Sequence, residues 1–239
     1  MITVAIGSAF GLFIGNRISE RIQQSVMTGL GLVTLYVGIS NAGATGNIII
    51  PLLSLVSGVI IGELMDIDGA LQRFAGWLQT RFGAADKRGG DAAERRARFI
   101  AGFVTASLIF CVGPLTVVGS IQDGMGIAAG FQQLAIKSVL DGFAAMALAS
   151  SLGVGVAFTI LTVLLIQGGL ALGGSLLGEF MSSPMTAEMT AVGGLILIGL
   201  ALILLDLKRP RVANFLPALV IAPLIVAVAT SLGIAIYPF

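Results

Sequence analysis

The sequence predicts an all-α fold, a polytopic bundle of about eight transmembrane helices. Of the 239 residues, 56% are hydrophobic and 10% are charged, and the mean hydropathy is +1.03, whereas a soluble domain carries roughly 25% charged residues. Uncharged runs of about 18 residues or more recur along the chain, and a helix of that length can cross a bilayer. Glycine contributes 33 residues, about twice its usual share, which favours close helix packing in lipid.

The apolar runs define eight predicted spans in chain order. They lie near residues 1–15, 22–41, 47–65, 99–121, 131–152, 154–177, 187–206 and 213–236. The first span is short, because fifteen residues rise only about 22 Å through a hydrocarbon core of about 30 Å. We therefore expect this helix to be thinly anchored, or else the natural chain to begin further upstream.

The basic residues predict the orientation of the spans. Residues 42–46, 123–130 and 178–186 contain no Lys or Arg. This alternation follows the positive-inside rule if the spans are even in number and both termini lie outside. The connection at 152–153 is short and uncharged. Twelve of the thirteen basic residues lie after span 1 (Arg17, Arg21), span 3 (Arg73, Arg81, Lys87, Arg88, Arg95, Arg96, Arg98) or span 7 (Lys208, Arg209, Arg211).

A hydrophilic region at 66–98 separates spans 3 and 4. Its first half is predicted to be an amphipathic helix on the cytoplasmic membrane surface, with the single tryptophan, Trp77, beside the apolar stripe. Residues 83–96 are rich in Ala, Gly and charge, which predicts a flexible linker. The apolar stripe of the helix consists of Ile67, Leu71, Phe74, Leu78 and Phe82, opposite Gln72, Arg73 and Gln79.

The two ends of the chain resemble each other. Residues 11–28 align with 174–190 when one gap is allowed, and the Asn47 to Pro51 segment resembles Asn214 to Pro217. Repeat 1 (residues 1–65, spans 1 to 3) and repeat 2 (154–236, spans 6 to 8) would then flank the central spans 4 and 5 (99–152). Span 1 and span 6 cross in opposite directions, so the repeat is predicted to be inverted, a plan that is typical of secondary transporters and shared by some channels.

Span 5 carries an ionisable pair, Lys137 and Asp141, with Ser138 between them. If the helix starts near 131, Lys137 lies about 9 Å deep and Asp141 about 15 Å deep, on one helix face. Ionisable groups inside a span are costly and face the bundle interior or a watery cavity. Two interpretations stay open: a cation or proton site at Asp141 balanced by Lys137, or a structural ion pair.

Other candidate residues interrupt spans or lie near their ends. Gly113-Pro114 is predicted to break span 4 and to free a carbonyl near Phe110, either as a cation ligand or as a packing kink, with Thr116 nearby. Gln122-Asp123 marks the outer end of that span, as a vestibule or as an exposed turn. Asn47, Asn214 and Gln167 are amides that could contact substrate or satisfy backbone groups.

Four segments resemble one bacterial membrane family: GFVTASLIFCVG (102–113), GSIQDG (119–124), AVGGL (191–195) and RVANFLP (211–217). They are similar to the YqgA/YdfK-type, or DUF554, family, and the likeness spans nearly the whole chain. Members usually begin with a few more residues before the first glycine-rich helix, and this chain lacks them. The resemblance implies an inner-membrane protein and supplies no substrate, because the family's function is not known.

The first functional hypothesis is a transporter of a small solute or ion that works by alternating access. An oligomeric channel is one alternative, and a scaffold that binds a partner through residues 66–98 is another. No enzyme is expected, because the chain has no His, no phosphate-binding loop and no metal-ligand cluster. The lone Cys111 allows no intrachain disulfide.

The expected partners are the lipid bilayer and a small solute or cation. Neither a cofactor nor nucleic acid is expected, and a homo-oligomer stays open.

Overall fold

The computed structural model describes residues 1–15, 19–82, 91–111, 114–126, 128–174 and 181–237. Within these residues the chain forms helices and no β-strand, so the all-α prediction is confirmed. Short 3₁₀ turns lie at Gly153–Val156 and Val212–Phe215. The α-helices are α1 (Ile2–Gly15), α2 (Glu20–Ala42), α3 (Ile49–Met65), α4 (Ile67–Phe82), α5 (Ala92–Cys111), α6 (Pro114–Gly124), α7 (Ala128–Leu152), α8 (Thr159–Leu172), α9 (Ser183–Leu204) and α10 (Ala218–Ser231).

Several of these helices can cross a membrane by length and composition. Among the described residues, four stretches qualify: Gln24–Ala42, Gly130–Val156, Ser183–Leu204 and Val212–Ser231. A fifth is added if Ile49–Met65 and Ile67–Arg81 count as one span bent by 49°. Ile2–Ile14 and Thr159–Leu172 are apolar but shorter. The predicted total of about eight spans therefore stays a prediction.

Large apolar side chains cover much of the surface of the bundle. Leu172 is 91% exposed, Leu64 82% and Ile2 77%. A soluble monomer rarely exposes large contiguous apolar patches, whereas lipid-facing helices expose them as a rule. The surface therefore fits a protein whose helices face lipid.

Glycines set the closest helix contacts, and one of these joins α1 to α7. A Cβ added at Gly7 would lie 2.1 Å from the carbonyl oxygen of Gly142, and one at Gly11 would lie 2.2 Å from that of Met146. Residue numbers rise together along this contact, so the two helices are parallel. Small residues let backbones approach in this way where no larger side chain would fit.

Two further pairs, α2 with α9 and α3 with α10, are antiparallel. These directions agree with the predicted topology. Helices α1 and α7 correspond to spans 1 and 5, which are predicted to cross the membrane in the same direction. Helices α2 and α9 correspond to spans 2 and 7, and α3 and α10 to spans 3 and 8, and the two members of each of these pairs are predicted to cross in opposite directions. In the first pair Gly31 faces Leu205 and Gly38 faces Gly194; in the second, Gly58 faces Ala218 and Gly62 faces Asn214.

Helix α4 (Ile67–Phe82) covers the predicted apolar stripe and packs against α5. Its Leu78 side chain is 1% exposed and lies in an apolar cluster with Phe99 and Phe103, while Trp77 stays exposed. The 49° bend from α3 is formed at Asp66, whose φ of 49° is left-handed. The helix is therefore tilted relative to α3 rather than perpendicular to it.

Helix α5 begins at Ala92, inside the region predicted to be a flexible linker. That prediction is wrong for residues 92–96, while residues 83–90 lie outside the described part of the chain. Two local interactions explain the helix start: the backbone N–H of Glu94 donates to the Asp91 carboxylate at 2.7 Å, and Arg98 pairs with Glu94 at 3.0 Å. The first caps the helix and the second adds an i,i+4 ion pair.

Candidate functional site

The Lys137–Asp141 pair lies at the centre of α7. Asp141 is one residue from the midpoint of this 25-residue helix, and the exposed fractions of the two side chains are 8% and 14%. The Lys137 ammonium donates a hydrogen bond to the Asp141 carboxylate. A buried charge of either sign is costly unless it is paired. The two charges therefore neutralise each other inside the bundle.

Hydroxyl groups without partners lie on the helices that flank α7. Thr3 and Ser8 on α1 and Ser120 on α6 each bury a side-chain oxygen for which the described residues supply no hydrogen-bond partner. Thr3 lies directly against Gly142, the residue after Asp141. Buried polar groups are normally hydrogen-bonded, so these hydroxyls are available to a bound solute or water.

The junction of α5 and α6, where a break in span 4 is predicted, lies near this pair. Helix α5 ends at Cys111 and α6 begins at Pro114; the predicted site residue Gly113 lies outside the described residues. The charges of Lys137 and Asp141 both act on the Cys111 thiol. The Thr116 hydroxyl donates to the Phe110 carbonyl at 2.9 Å, so the carbonyl near the proline already has one partner.

The remaining candidates of spans 4 to 6 do not join the pair. Ser138 donates to the Ala135 carbonyl of its own helix at 2.9 Å. Gln122 accepts a hydrogen bond from Gln133 at 3.2 Å. Two others make no side-chain hydrogen bond among the described residues: Asp123 is exposed at the end of α6, and Gln167 is half-buried on α8.

Asn47 lies at one end of the bundle, which we call the neutral end because the adjoining segments carry no Lys or Arg. Its side-chain amide donates to the Ile236 carbonyl at 2.5 Å and accepts from the Ile49 amide at 3.0 Å. Ile236 lies five residues beyond the end of α10. The side chain therefore holds the start of α3 to the segment that follows its partner helix.

Asn214 lies at the opposite end, which we call the basic end because Lys208, Arg209 and Arg211 are near it. It is fully buried, and its side-chain oxygen accepts from the Asp68 amide at 2.7 Å. Asp68 follows α3, just as Ile236 follows α10. The two asparagines thus make corresponding contacts at opposite ends of the α3–α10 pair, and the structure brings neither of them to Lys137.

Glu188 on α9 is a buried ionisable residue that the sequence analysis missed. It is 0% exposed. Its carboxylate accepts from the Thr45 hydroxyl at 2.7 Å and from the Gly46 backbone N–H at 3.0 Å. The signal in the sequence is its position inside the predicted span 187–206, because an acidic residue within a membrane span is costly unless it has a role.

Tyr237 also faces Glu188 at the neutral end. Burial, and after it the negative charge of Glu188, raises the pKa of Tyr237 to about 12. The hydroxyl oxygen is buried and has no hydrogen bond of standard geometry. The residues near Glu188 therefore come from three segments: the α2–α3 connection, α9 and the segment after α10.

A cleft of about 240 Å³ opens near the basic end, between α3, α9 and the Val212–Phe215 turn. Its walls are apolar except for Lys208, and they include neither Lys137 nor Asp141. Among the described residues no group of three His, Cys, Asp or Glu could hold a metal ion. The polar features of the bundle are thus the central pair and the cluster around Glu188.

Comparisons with known proteins give one consistent result. The model of a family described as "Protein of unknown function (DUF554)" matches residues 1–227. The chain is 30% identical to "Uncharacterized protein YqgA" of Escherichia coli K12, over 92% of this chain and 90% of that protein. It is 23% identical to "Uncharacterized membrane protein YdfK" of Bacillus subtilis 168, over 98% of this chain and 96% of the relative. No solved structure matches the chain.

Proposed function

The chain belongs to the DUF554 family, and on that premise we propose that it is a membrane transporter of a small solute or ion that works by alternating access. The buried Lys137–Asp141 pair at the centre of α7 is the observation that carries the proposal. Ionisable residues inside membrane spans are costly and commonly mark substrate or ion pathways. Pro114, the first residue of α6, has no backbone N–H, so a carbonyl about one turn earlier loses the donor that a regular helix would supply.

The geometry of the pair limits what it can bind. Lys137 and Asp141 already satisfy each other, so a solute must offer charged groups that replace this contact. A zwitterion can do so, because it offers one charge to each residue, whereas an apolar solute would leave two buried charges unpaired, at a cost of several kcal/mol. We therefore place a small charged solute at this pair, with the buried hydroxyl of Thr3, which lies against Gly142, as a neighbouring polar group.

The paired helices support an inverted-repeat mechanism. Helices α3 and α10 are antiparallel, and Asn47 and Asn214 make corresponding contacts at their opposite ends. A two-fold axis in the membrane plane would relate contacts of this kind, and alternating access by repeats of this type rocks one unit against the other. Each asparagine contact would then hold one end of the bundle closed.

We propose that the protein resides in the bacterial inner membrane with both termini outside and the basic end in the cytoplasm. The lipid bilayer and a small solute or cation are its partners in this proposal, and a homo-oligomer stays open. We propose neither an enzymatic activity nor a cofactor for it.

The test replaces one carboxylate and measures transport. Vesicles containing the purified protein are given a mixture of small charged solutes under an ion gradient, and the trapped solutes are identified by mass spectrometry. Asp141→Asn is expected to abolish gradient-driven uptake. Glu63→Gln is the matched control, because Glu63 pairs with Arg211 at 3.0 Å on the exposed surface. Unchanged uptake by Asp141→Asn would remove Asp141 from the mechanism.

A double variant separates transport from folding. Removing one partner of a buried pair destabilises a protein by about 3–5 kcal/mol, whereas removing both is often tolerated. The Lys137→Gln/Asp141→Asn protein is therefore expected to fold and yet to transport nothing. Full uptake by this double variant would make the pair a structural element.

Saturable counterflow in the unmodified protein would separate a transporter from a channel.

A further inference from the structure

Glu188 differs from Asp141 in having no cationic partner among the described residues. The ion pairs of the described chain do not include it, although it is 0% exposed. Its two hydrogen-bond donors, the Thr45 hydroxyl and the Gly46 N–H, are neutral. A buried carboxylate without a countercharge is costly, and hydrogen bonds alone only partly offset that cost.

Two hydroxyl oxygens lie near this carboxylate. The Thr45 hydroxyl lies 2.7 Å from it, and the Tyr237 hydroxyl faces it with no hydrogen bond of standard geometry. The Thr45 hydroxyl oxygen accepts a hydrogen bond from the backbone N–H of Asn47 at 3.0 Å. A hydroxyl has two acceptor lone pairs, so Thr45 can keep this bond, rotate its proton away from Glu188 and offer its second lone pair to a cation.

We propose that Glu188 is the anionic ligand of a site for one alkali cation, with the hydroxyl oxygens of Thr45 and Tyr237 as neutral ligands. Hard cations prefer ligands of this kind, carboxylate and neutral oxygens. One carboxylate balances one positive charge, which favours a monovalent ion over a divalent one. The adjoining connections contain no Lys or Arg that would repel it.

A cation at this position would link three segments. Thr45 belongs to the α2–α3 connection, Glu188 to α9 and Tyr237 to the segment after α10. Asn47 in the same connection already bonds the Ile236 carbonyl. The site therefore lies where closure of the neutral end would be controlled. The cation site depends on the proposed transport function only if the cation is taken to be the coupling ion of transport. Binding of the cation can be measured without measuring transport.

The test measures the melting temperature of the purified full chain in detergent. NaCl, KCl and LiCl are each compared with choline chloride at the same ionic strength and pH. A ligand at a hundred times its dissociation constant shifts the folded-to-unfolded ratio about 100-fold, so a saturable rise in melting temperature with at least one alkali chloride is expected. Glu188→Gln should abolish this rise and Thr45→Val should weaken it, while Glu63→Gln should keep it.

A second readout remains useful if Glu188→Gln fails to fold. In a Tyr36→Phe background Tyr237 is the single remaining tyrosine. A cation beside Glu188 would offset the negative charge that acts on the Tyr237 phenol, so the alkali chloride should lower the pKa of Tyr237 in otherwise unmodified protein, and choline should not.

Three results would overturn the alkali site. Equal rises with choline and the alkali chlorides would show an effect of ionic strength. A rise that survives in Glu188→Gln would place the cation elsewhere. If a lower pH raises the melting temperature while all the chlorides give the same value, Glu188 binds a proton rather than an alkali cation. If cation binding is found and Asp141→Asn still transports normally, only the function proposed for the central pair fails.

Discussion

The contact between α1 and α7 makes a prediction that can be worked out from the backbone. Gly7 is changed to Ala, and the new Cβ would lie 2.1 Å from the Gly142 carbonyl oxygen. Real Cβ atoms essentially never come closer than 3.0 Å to such an atom. Because the obstacle is backbone, no rotamer change can relieve it. Helix α1 must move away by roughly 1 Å, a gap that forfeits a quarter to a half of the dispersion energy at each widened contact.

The expected magnitude follows from two opposing effects. Overpacking a close contact costs about 1–3 kcal/mol, while replacing Gly by Ala inside a helix gains up to about 1 kcal/mol. We expect Gly7→Ala to lower the free energy of unfolding by about 1–2 kcal/mol. For a chain of this size each kcal/mol corresponds to about 2–4 °C, so the melting temperature should fall by roughly 2–8 °C.

The assay is thermal unfolding in detergent, followed by far-ultraviolet circular dichroism. The chain supplies matched controls in Gly29 on α2 and Gly169 on α8, where an added Cβ would meet nothing within 4 Å. Ala at either control should leave the melting temperature unchanged or raise it. Equal melting temperatures for Gly7→Ala and Gly29→Ala would refute backbone contact between α1 and α7.

Two further predictions concern the ends of the bundle. In Tyr36→Phe protein, the tyrosinate absorbance of Tyr237 should titrate with a pKa of about 12, and Glu188→Gln should lower that pKa by removing the second cause of the shift. Because the folded pKa is raised, the neutral phenol stabilises the fold below pH 10, and this contribution is lost as the pH rises towards 12. Asn214→Ala should destabilise the fold by about 1–3 kcal/mol, because the Asp68 amide then loses its buried acceptor.

Controls are available for both of these predictions. For the titration, Glu63→Gln should leave the Tyr237 midpoint unchanged; an equal shift in Glu188→Gln and Glu63→Gln would contradict the local charge effect. For the asparagine, Gln167→Ala changes an amide that has no hydrogen bond among the described residues. Chemical denaturation should then separate the two alanine variants, and equal midpoints would contradict the capping role of Asn214.

The best sequence predictions concern features that short stretches of chain control. The helical spacing of apolar residues from Ile67 to Phe82 predicts an amphipathic helix, and α4 covers these residues. Pro114 lacks an amide donor, so a break near Phe110 is predicted from covalent structure alone; residues 112 and 113 lie outside the described part of the chain, and the break stays a prediction. The start of α5 was placed too late, because the glycine and charge content of 83–96 concealed the cap at Asp91 and the ion pair at Glu94.

The candidate site likewise contains contacts that the sequence predicts and contacts that it does not. The pairing of Lys137 with Asp141 could be predicted, since an i,i+4 spacing on one helix fixes their proximity. The partners of Asn47 and Asn214 could not, because Ile236 and Asp68 are 189 and 146 residues away in sequence. The cluster around Glu188 was missed for the same reason: Thr45 lies 143 residues from it, and local spacing carries no information about such contacts.

The sequence by itself determined that this is an all-α protein with apolar helices, and where the amphipathic helix α4 lies. Hydrophobic content, helical periodicity and proline chemistry act within a few residues, so they can be read along the chain. The tertiary structure decided that Asp141 has its countercharge within its own helix, whereas Glu188 is surrounded by neutral groups from distant segments. Burial and countercharge depend on which helices pack together, and that packing arises only when the whole chain folds.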